Sequence, residues 1–174
     1  MEFKLEHIFD CDILTLENAF DHPKIDEYIE SRLSVIKKRE VLERKENGTR
    51  VFTRMRVVPD YELPQRARQF ISQERLEWIE ESLRDREKHT SEYRIVPPIF
   101  KRQFKAEICF KMFPQGNGET LREVWGNIAV SIPGLKRKLE EYITPRIVRA
   151  LDEEAHVINS FVKEHLFELK KGVE

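Results

Sequence analysis

The stretch from Pro133 to about Leu169 constrains this chain most. Leu135, Leu139, Ile143, Ile147, Leu151 and Ala155 recur at every fourth position, and Ile158, Val162 and Leu166 continue the stripe after one three-residue step. Lys136, Lys138, Glu140, Glu141, Arg146, Arg149, Asp152 and Glu153 fill the opposite side. One apolar side and one charged side is the pattern of a helix laid along an apolar surface. At ~1.5 Å per residue such a helix runs on the order of 50 Å, longer than most globular helices. Pro145 removes one backbone donor inside it. The stripe keeps its register across Pro145, which predicts one kinked helix; a restart with Thr144 as cap and Pro145 at the first helical position is the alternative.

A surface for that helix to cover comes from the chain before it, which reads largely as strands. Residues 2–9 alternate Phe3, Leu5, His7 and Phe9 against Lys4, Glu6 and Ile8, a strand with one buried face. Two short helices follow, Ile13 to Phe20 and Pro23 to Arg32, broken at Asp21-His22-Pro23. Ser34 to Arg44 and Thr49 to Val58 form a hairpin around Asn47-Gly48, with Val51, Thr53, Met55 and Val57 on one face and Arg50, Phe52, Arg54 and Arg56 on the other. Tyr61 to Phe70 is a connecting segment, placed to act as a lid. Strands are expected over 72–85, 89–96, 103–113 and 119–132, joined by short turns, which makes an antiparallel meander. Six hairpin-linked strands give a curved sheet, and the long helix is the element with enough apolar face to cover its concave side. Packing of that kind often leaves a cavity.

The totals narrow the class. A chain of 174 residues, 40% hydrophobic and 36% charged, is most simply one soluble domain over 1–174 with a heavily charged surface. A formal net charge of −1 gives no global pull toward nucleic acid or an anionic membrane. Cys11 and Cys109 allow at most one bridge, so free thiols in a reducing, cytoplasmic compartment are expected. The charged N-terminus MEFKLEHIF is not a signal peptide, and no apolar run reaches the ~20 residues of a membrane span.

Several short motifs carry a family likeness. Leu76-Glu77-Trp78-Ile79-Glu80-Glu81-Ser82 with Asp85, Arg122-Glu123-Val124-Trp125-Gly126-Asn127-Ile128-Ala129-Val130, and Ile132-Pro133-Gly134-Leu135 with Leu139, Glu140 and Ile143 stand at a strand, at the last strand and at the entry to the closing helix. Together with the element order they resemble the helix-grip fold of the START-like (SRPBCC) superfamily, in its bacterial polyketide-cyclase-like branch of unknown function. The hairpin and the Glu80 to Asp85 region are also similar to PRELI-type phospholipid carriers. The resemblance implies an α+β helix-grip domain, a curved antiparallel seven-stranded sheet wrapped on the C-terminal helix, with an internal hydrophobic cavity. It does not imply an enzyme.

Searches for chemistry find little. Glu153-x-x-His156 has the spacing of half a di-iron motif, but a single copy with Glu153 on the charged face reads as a solvated pair. Neither cysteine has a histidine in a local catalytic motif, no glycine-rich phosphate loop exists, and clustered zinc ligands are absent from the sequence. No cofactor, metal or catalytic residue is assigned. The arginine stripe Arg50, Arg54 and Arg56, with Phe52 among them, reads as a salt-bridged outer face rather than a nucleic-acid surface. On inward-reading positions Met55, Trp78, Phe104, Ile108, Phe110, Val124 and Ile128 would meet Ile143, Ile147, Leu151 and Ile158 from the helix, around either a filled core or a cavity. His7, Glu80, Arg94 and Arg122 are the polar groups expected to face it, with Glu80 paired to Arg94 or Arg122 because a buried charge needs a partner.

The expected function is binding of a hydrophobic small molecule or lipid by His7, Met55, Trp78, Glu80, Arg94, Phe104, Ile108, Arg122, Val124, Ile128, Ile147 and Leu151. A polyketide cyclase/dehydratase-type enzyme using His7 and Glu80, and an interaction protein with a filled core, are the alternatives. The sequence leaves the oligomeric state open.

Overall fold

A computed structural model of the protein describes residues 1–60, 65, 77–97 and 101–171. The chain runs β1 (Glu2–Phe9), α1 (Ile13–Asp21), α2 (Ile25–Glu30), β2 (Ile36–Asn47), β3 (Arg50–Pro59), β4 (Trp78–Asp85), β5 (Thr90–Val96), β6 (Phe104–Gly116), β7 (Glu119–Val130) and α3 (Lys136–Lys171). The strands form one antiparallel sheet in the order β1-β7-β6-β5-β4-β3-β2, a meander whose last strand is joined by the first. Of the strand expected over 72–85, the part from Trp78 is β4, while 72–76 lie outside the described residues. The lid expected over 61–70 lies outside them too, save Gln65.

Turn chemistry sets the hairpins. Asn117 and Gly118 both take positive φ (52° and 76°), as the tight turn between β6 and β7 demands. In the β2–β3 turn only Gly48 does (59°), and Asn47 is the last residue of its strand, paired with Arg50. Asp12 caps α1, its carboxylate accepting from the Thr15 N–H and hydroxyl at 2.9 Å. The Phe3 ring lies across Gly126 on the neighbouring strand, where a Cβ would overlap it.

α3 is one continuous helix with Pro145 inside. Its buried face departs from the four-residue stripe, because a strict step of four drifts about 40° around an α-helix each time. Glu140, Thr144, Ala155, Ile158, Phe161, Val162 and Leu169 are buried, whereas Leu139, Ile143, Ile147 and Leu151 are half-buried and Leu166 is exposed. Glu140, expected on the charged side, instead accepts from the Val130 N–H at 2.9 Å, where the last strand passes the start of the helix. That bond leads the effects holding its carboxyl below the ordinary range.

The packed core sits at the C-terminal end of α3. Phe161, Val162, Ile158, Ala155 and Leu169 meet Phe9, Leu16, Ala19, Ile25 and Ile29 from β1, α1 and α2, nearly all below 6% exposed. Full burial of each such large side chain stabilises the fold by roughly 1.5–3 kcal/mol. Side-chain bonds lock the same end: Asn18 donates to the Leu169 carbonyl at 2.8 Å, and Asn159 donates to the Ile8 carbonyl at 2.9 Å. On the outer face of the sheet Arg50, Arg54 and Arg56 stand within 3.6 Å of Asp85, Glu81 and Glu40 respectively. No helix among the described residues is long and apolar enough to cross a membrane.

Candidate functional site

The interior changes character along α3. Beyond the packed core, Ile108, Phe110 and Val124 form a buried floor on β6 and β7. The side chains around that floor, Phe3, Leu5, Tyr93, Ile95, Ile147 and Leu151, are only half-buried although all of them face inward. Register makes that orientation unambiguous. Phe3 and Leu5 stand opposite Gly126 and Val124, Tyr93 opposite Ile108, and Ile95 opposite Ala106. A filled core would bring such residues close to zero exposure, as it does Phe9 and Phe161.

Between this half-buried end and the packed core runs a polar seam. His7 is buried, and its Nδ1 accepts from the Arg122 guanidinium at 3.1 Å. The proton therefore sits on Nε2, which donates to the Asp152 carboxylate at 2.9 Å. Burial first, and then the Arg122 charge, push the His7 pKa below its ordinary value, against the pull of Asp152. Both ring nitrogens are engaged, which leaves His7 no atom free to take a proton from a substrate. Arg122, 3% exposed, also reaches Glu154 at 3.3 Å and stacks over the Phe110 ring at 4.8 Å.

Glu80 and Tyr93 stand on the same inner face, Glu80 opposite Met55 and Tyr93 opposite Ser82. Burial raises the Glu80 pKa, opposed by the nearby Arg39 charge. Burial also raises that of Tyr93, helped by the charges of Glu154 and Glu80. A cavity of about 90 Å³ opens beside them, walled by β2–β7 and by Phe20, Ile25, Ile29 and Ile158 of the helices.

The expected site residues divide among the cavity wall, the half-buried end and fully packed positions. Met55 lines the cavity and is 7% exposed, Trp78 and Phe104 are half-buried on the inner face, and Ile147 and Leu151 belong to the half-buried end. Ile108, Val124 and Ile128 are tightly buried, with Ile128 and Val124 at 0%. Arg94 is exposed, opposite Glu81 and Glu107 on the outer face. The expectation that it faces the interior is corrected: Tyr93 and Ile95 are the inward residues of β5, one step out of phase with Arg94. The ion pairs expected for Glu80 are corrected with it, since Arg94 is outside and Arg122 is taken by His7 and Glu154.

Sequence reasoning missed Arg39, whose charge acts on Glu80, and with it Tyr93, Glu154 and Asp152. Glu153 is not simply solvated; it accepts from the Ser34 hydroxyl and N–H and from Arg149, while His156 is exposed. No cluster of metal-ligating side chains exists among the described residues. Cys11 is buried, its thiol pushed up to about 12 chiefly by burial, so it is a poor nucleophile; Cys109 is exposed and also raised.

This architecture, seven antiparallel strands gripping a long C-terminal helix over a partly hollow interior, can be set beside known proteins. The family model described as "Protein of unknown function (DUF2505)" matches residues 4–162. The chain belongs to that family. No curated protein matches the sequence significantly. Among solved structures, this DUF2505 chain is similar to the Zhui aromatase/cyclase from a Streptomyces species, with a TM-score of 0.68 at 11% identity over 95% of both chains. Norcoclaurine synthase from Thalictrum flavum, solved with dopamine and hydroxybenzaldehyde, superposes with a TM-score of 0.66 at 15% identity, over 95% of this chain and 87% of that one. TTHA0849 from Thermus thermophilus gives 0.62 at 16% identity over 92% and 98%. At these identities the likeness shows the fold alone: the DUF2505 chain has the helix-grip architecture of those structures.

Proposed function

We propose that this protein binds an apolar small molecule or lipid between the first half of α3 and the inner face of the sheet. The observation that carries the reading is the ring of inward-facing but half-buried side chains, Phe3, Leu5, Ile95, Ile147 and Leu151, over a floor of Ile108 and Val124. Phe104, Trp78 and Met55 extend that wall, and Ile128 sits behind it. Covering such surface with an apolar ligand is worth ~25 cal/mol per Å² before ordering costs. A fold neighbour solved with bound aromatic molecules, norcoclaurine synthase with dopamine and hydroxybenzaldehyde, supports a ligand-binding role for this architecture. The engagement of both His7 nitrogens supports binding without chemistry. Two unbridged thiols fit a reducing compartment such as the cytoplasm.

Native mass spectrometry of the protein purified from its own source, followed by organic extraction, tests the reading. A discrete apolar compound near one per chain is the expected result. A bare mass, together with no thermal stabilisation by any apolar compound, would overturn it in favour of an interaction protein, since a ligand that binds only the native state must stabilise it.

One observation favours a second reading, a cyclase-type enzyme. Glu80 is a carboxylic acid whose pKa burial raises, as a general acid requires, and it stands beside Tyr93 on the inner face. If the extracted compound is a poly-β-ketone, Glu80→Gln decides between the readings. Turnover that drops by about 100-fold or more with unchanged binding assigns the enzyme, and turnover that is unaffected removes Glu80 from that role.

A further inference from the structure

Resting on the apolar-ligand reading, we infer that the ligand is an amphipathic carboxylic acid whose charged head is held at Arg39. The head occupies the 90 Å³ cavity, and the apolar body passes Tyr93 and Phe110 onto the half-buried apolar surface beyond them.

The cavity wall carries Arg39, Arg44, Arg84 and Arg122 against Asp26 and Glu154. Three of these cations are occupied. Arg84 is held by Glu17 and Asp21, Arg44 by Asp21 and Glu46, and Arg122 by His7 and Glu154. Arg39 differs. Among the described residues its buried Nη1 has no hydrogen-bond partner, and its Nη2 reaches only the Met55 sulfur at 3.4 Å. Thioether sulfur is a weak acceptor, so neither Nη1 nor Nη2 has an oxygen acceptor. The position is nonetheless fixed. A register shift between Val41 and Glu43 turns Arg39 to the inner face opposite Val57, and the Glu30 carboxylate accepts from its backbone N–H at 2.6 Å.

The chemistry of the wall selects the ligand class. A guanidinium offers donors alone, so its missing partner is an acceptor, and its planar fork matches a carboxylate with two parallel bonds. Tyr93, Ser82 and Thr53 bring hydroxyls to the same cavity, and none of them makes a hydrogen bond among the described residues. Glu80, Glu154 and Asp26 lie near enough to hold the Arg39 pKa up against burial, yet none is within ion-pair distance of it. Glu80 itself is shifted toward its neutral, donating form. A single unpaired cation in so small a space suits a monoanion rather than a phosphate dianion. Tyr93 packs edge-on against Phe110 at 4.8 Å and belongs to both the cavity and the half-buried apolar end, so head and body can be held by one continuous surface.

Calorimetric titration of the full chain near neutral pH with two matched pairs tests this: decanoate against 1-decanol, and 2-naphthoate against 2-methylnaphthalene. In at least one pair the acid is expected to bind about tenfold to a hundredfold tighter than its neutral partner, the range for a buried charge-assisted contact. Arg39→Met should erase that preference while leaving the neutral compound's affinity intact, which also shows that the variant is folded. Arg39→Lys, which keeps the charge but loses the fork, should retain part of the preference. Equal binding of acid and neutral compound to the wild type, or a preference that survives Arg39→Met, overturns the inference and leaves the apolar-ligand reading standing. Failure of all four compounds to bind overturns both. Should Arg39→Met not fold, an acid preference undiminished in Arg39→Lys and in Tyr93→Phe overturns it equally.

Discussion

At the residue scale His7 is the most constrained polar side chain of the interior. It is neutral and buried, with Arg122, Asp152 and Glu154 as the charged groups that face it. A histidine whose folded pKa lies below its unfolded value binds fewer protons folded than unfolded, so stability rises with pH through the gap. Its contribution is complete above about 6.5, the unfolded value, and is lost as pH falls from there through the depressed folded pKa. His7→Gln should cost about 1–2 kcal/mol near neutrality through lost hydrogen bonds. It should also flatten the dependence of the urea midpoint on pH below about 6.5; an unchanged slope would show that His7 does not titrate on unfolding. The inward aim of His7 was legible in the alternation of β1, but its partner Asp152 was not, since the helix pattern assigns that residue to the charged face. Gly126 makes a second residue-scale case. Gly126→Ala puts a methyl into the Phe3 ring and should destabilise by about 1–3 kcal/mol, with Phe3→Leu in the same background recovering part of the loss.

At the element scale the limits of the sequence have definite causes. Strands β1, β3, β6 and β7 alternate cleanly because one face is packed against the interior, so their inward residues could be read off directly. β2 could not. Counted back from the pair Asn47–Arg50 in a regular ladder, Glu40 would stand opposite Val57. The bulge at Leu42 reverses that parity and sends Arg39 inward and Glu40 out to Arg56. A charged run such as Lys37-Lys38-Arg39 gives no hint of which residue such a bulge will turn in. β5 misled for a related reason, since apolar Ile95 and Val96 occupy both parities at its end. In α3 the four-residue stripe identified the helix but drifted off its buried face, missing Phe161 and Leu169. Pro145 is exposed within that helix and denies the Glu141 carbonyl its usual donor. Pro145→Ala should raise the urea stability by about 1–3 kcal/mol; a fall would show that the first half of α3 depends on the proline for its seat.

At the scale of the whole molecule the interior is divided between a fully packed end and a half-buried one. The C-terminal half of α3 packs with α1, α2 and β1 to near-complete burial, while Ile147 and Leu151 of its N-terminal half stay half-buried against the sheet. Alternation alone cannot separate these states, because a cavity wall and a packed core use the same residue types at the same spacing. Enlarging side chains separates them. At the packed end Val162, 1% exposed, has no room, and Val162→Phe should cost about 1–3 kcal/mol through overpacking. At the half-buried end, on the apolar-ligand reading, Ile147→Phe or Leu151→Phe should hold or raise the urea midpoint of the ligand-free protein, because the added ring then enters the space meant for the ligand. The same substitutions should weaken binding of a neutral probe such as 2-methylnaphthalene by about tenfold or more, since the ring now occupies the ligand's place. Stability gained and binding lost at one position is the signature of a cavity kept open for a ligand at some cost to the fold. If both ends instead respond to enlargement with equal destabilisation, the interior is filled throughout, and the exposed faces of the sheet and of α3 become the working surfaces.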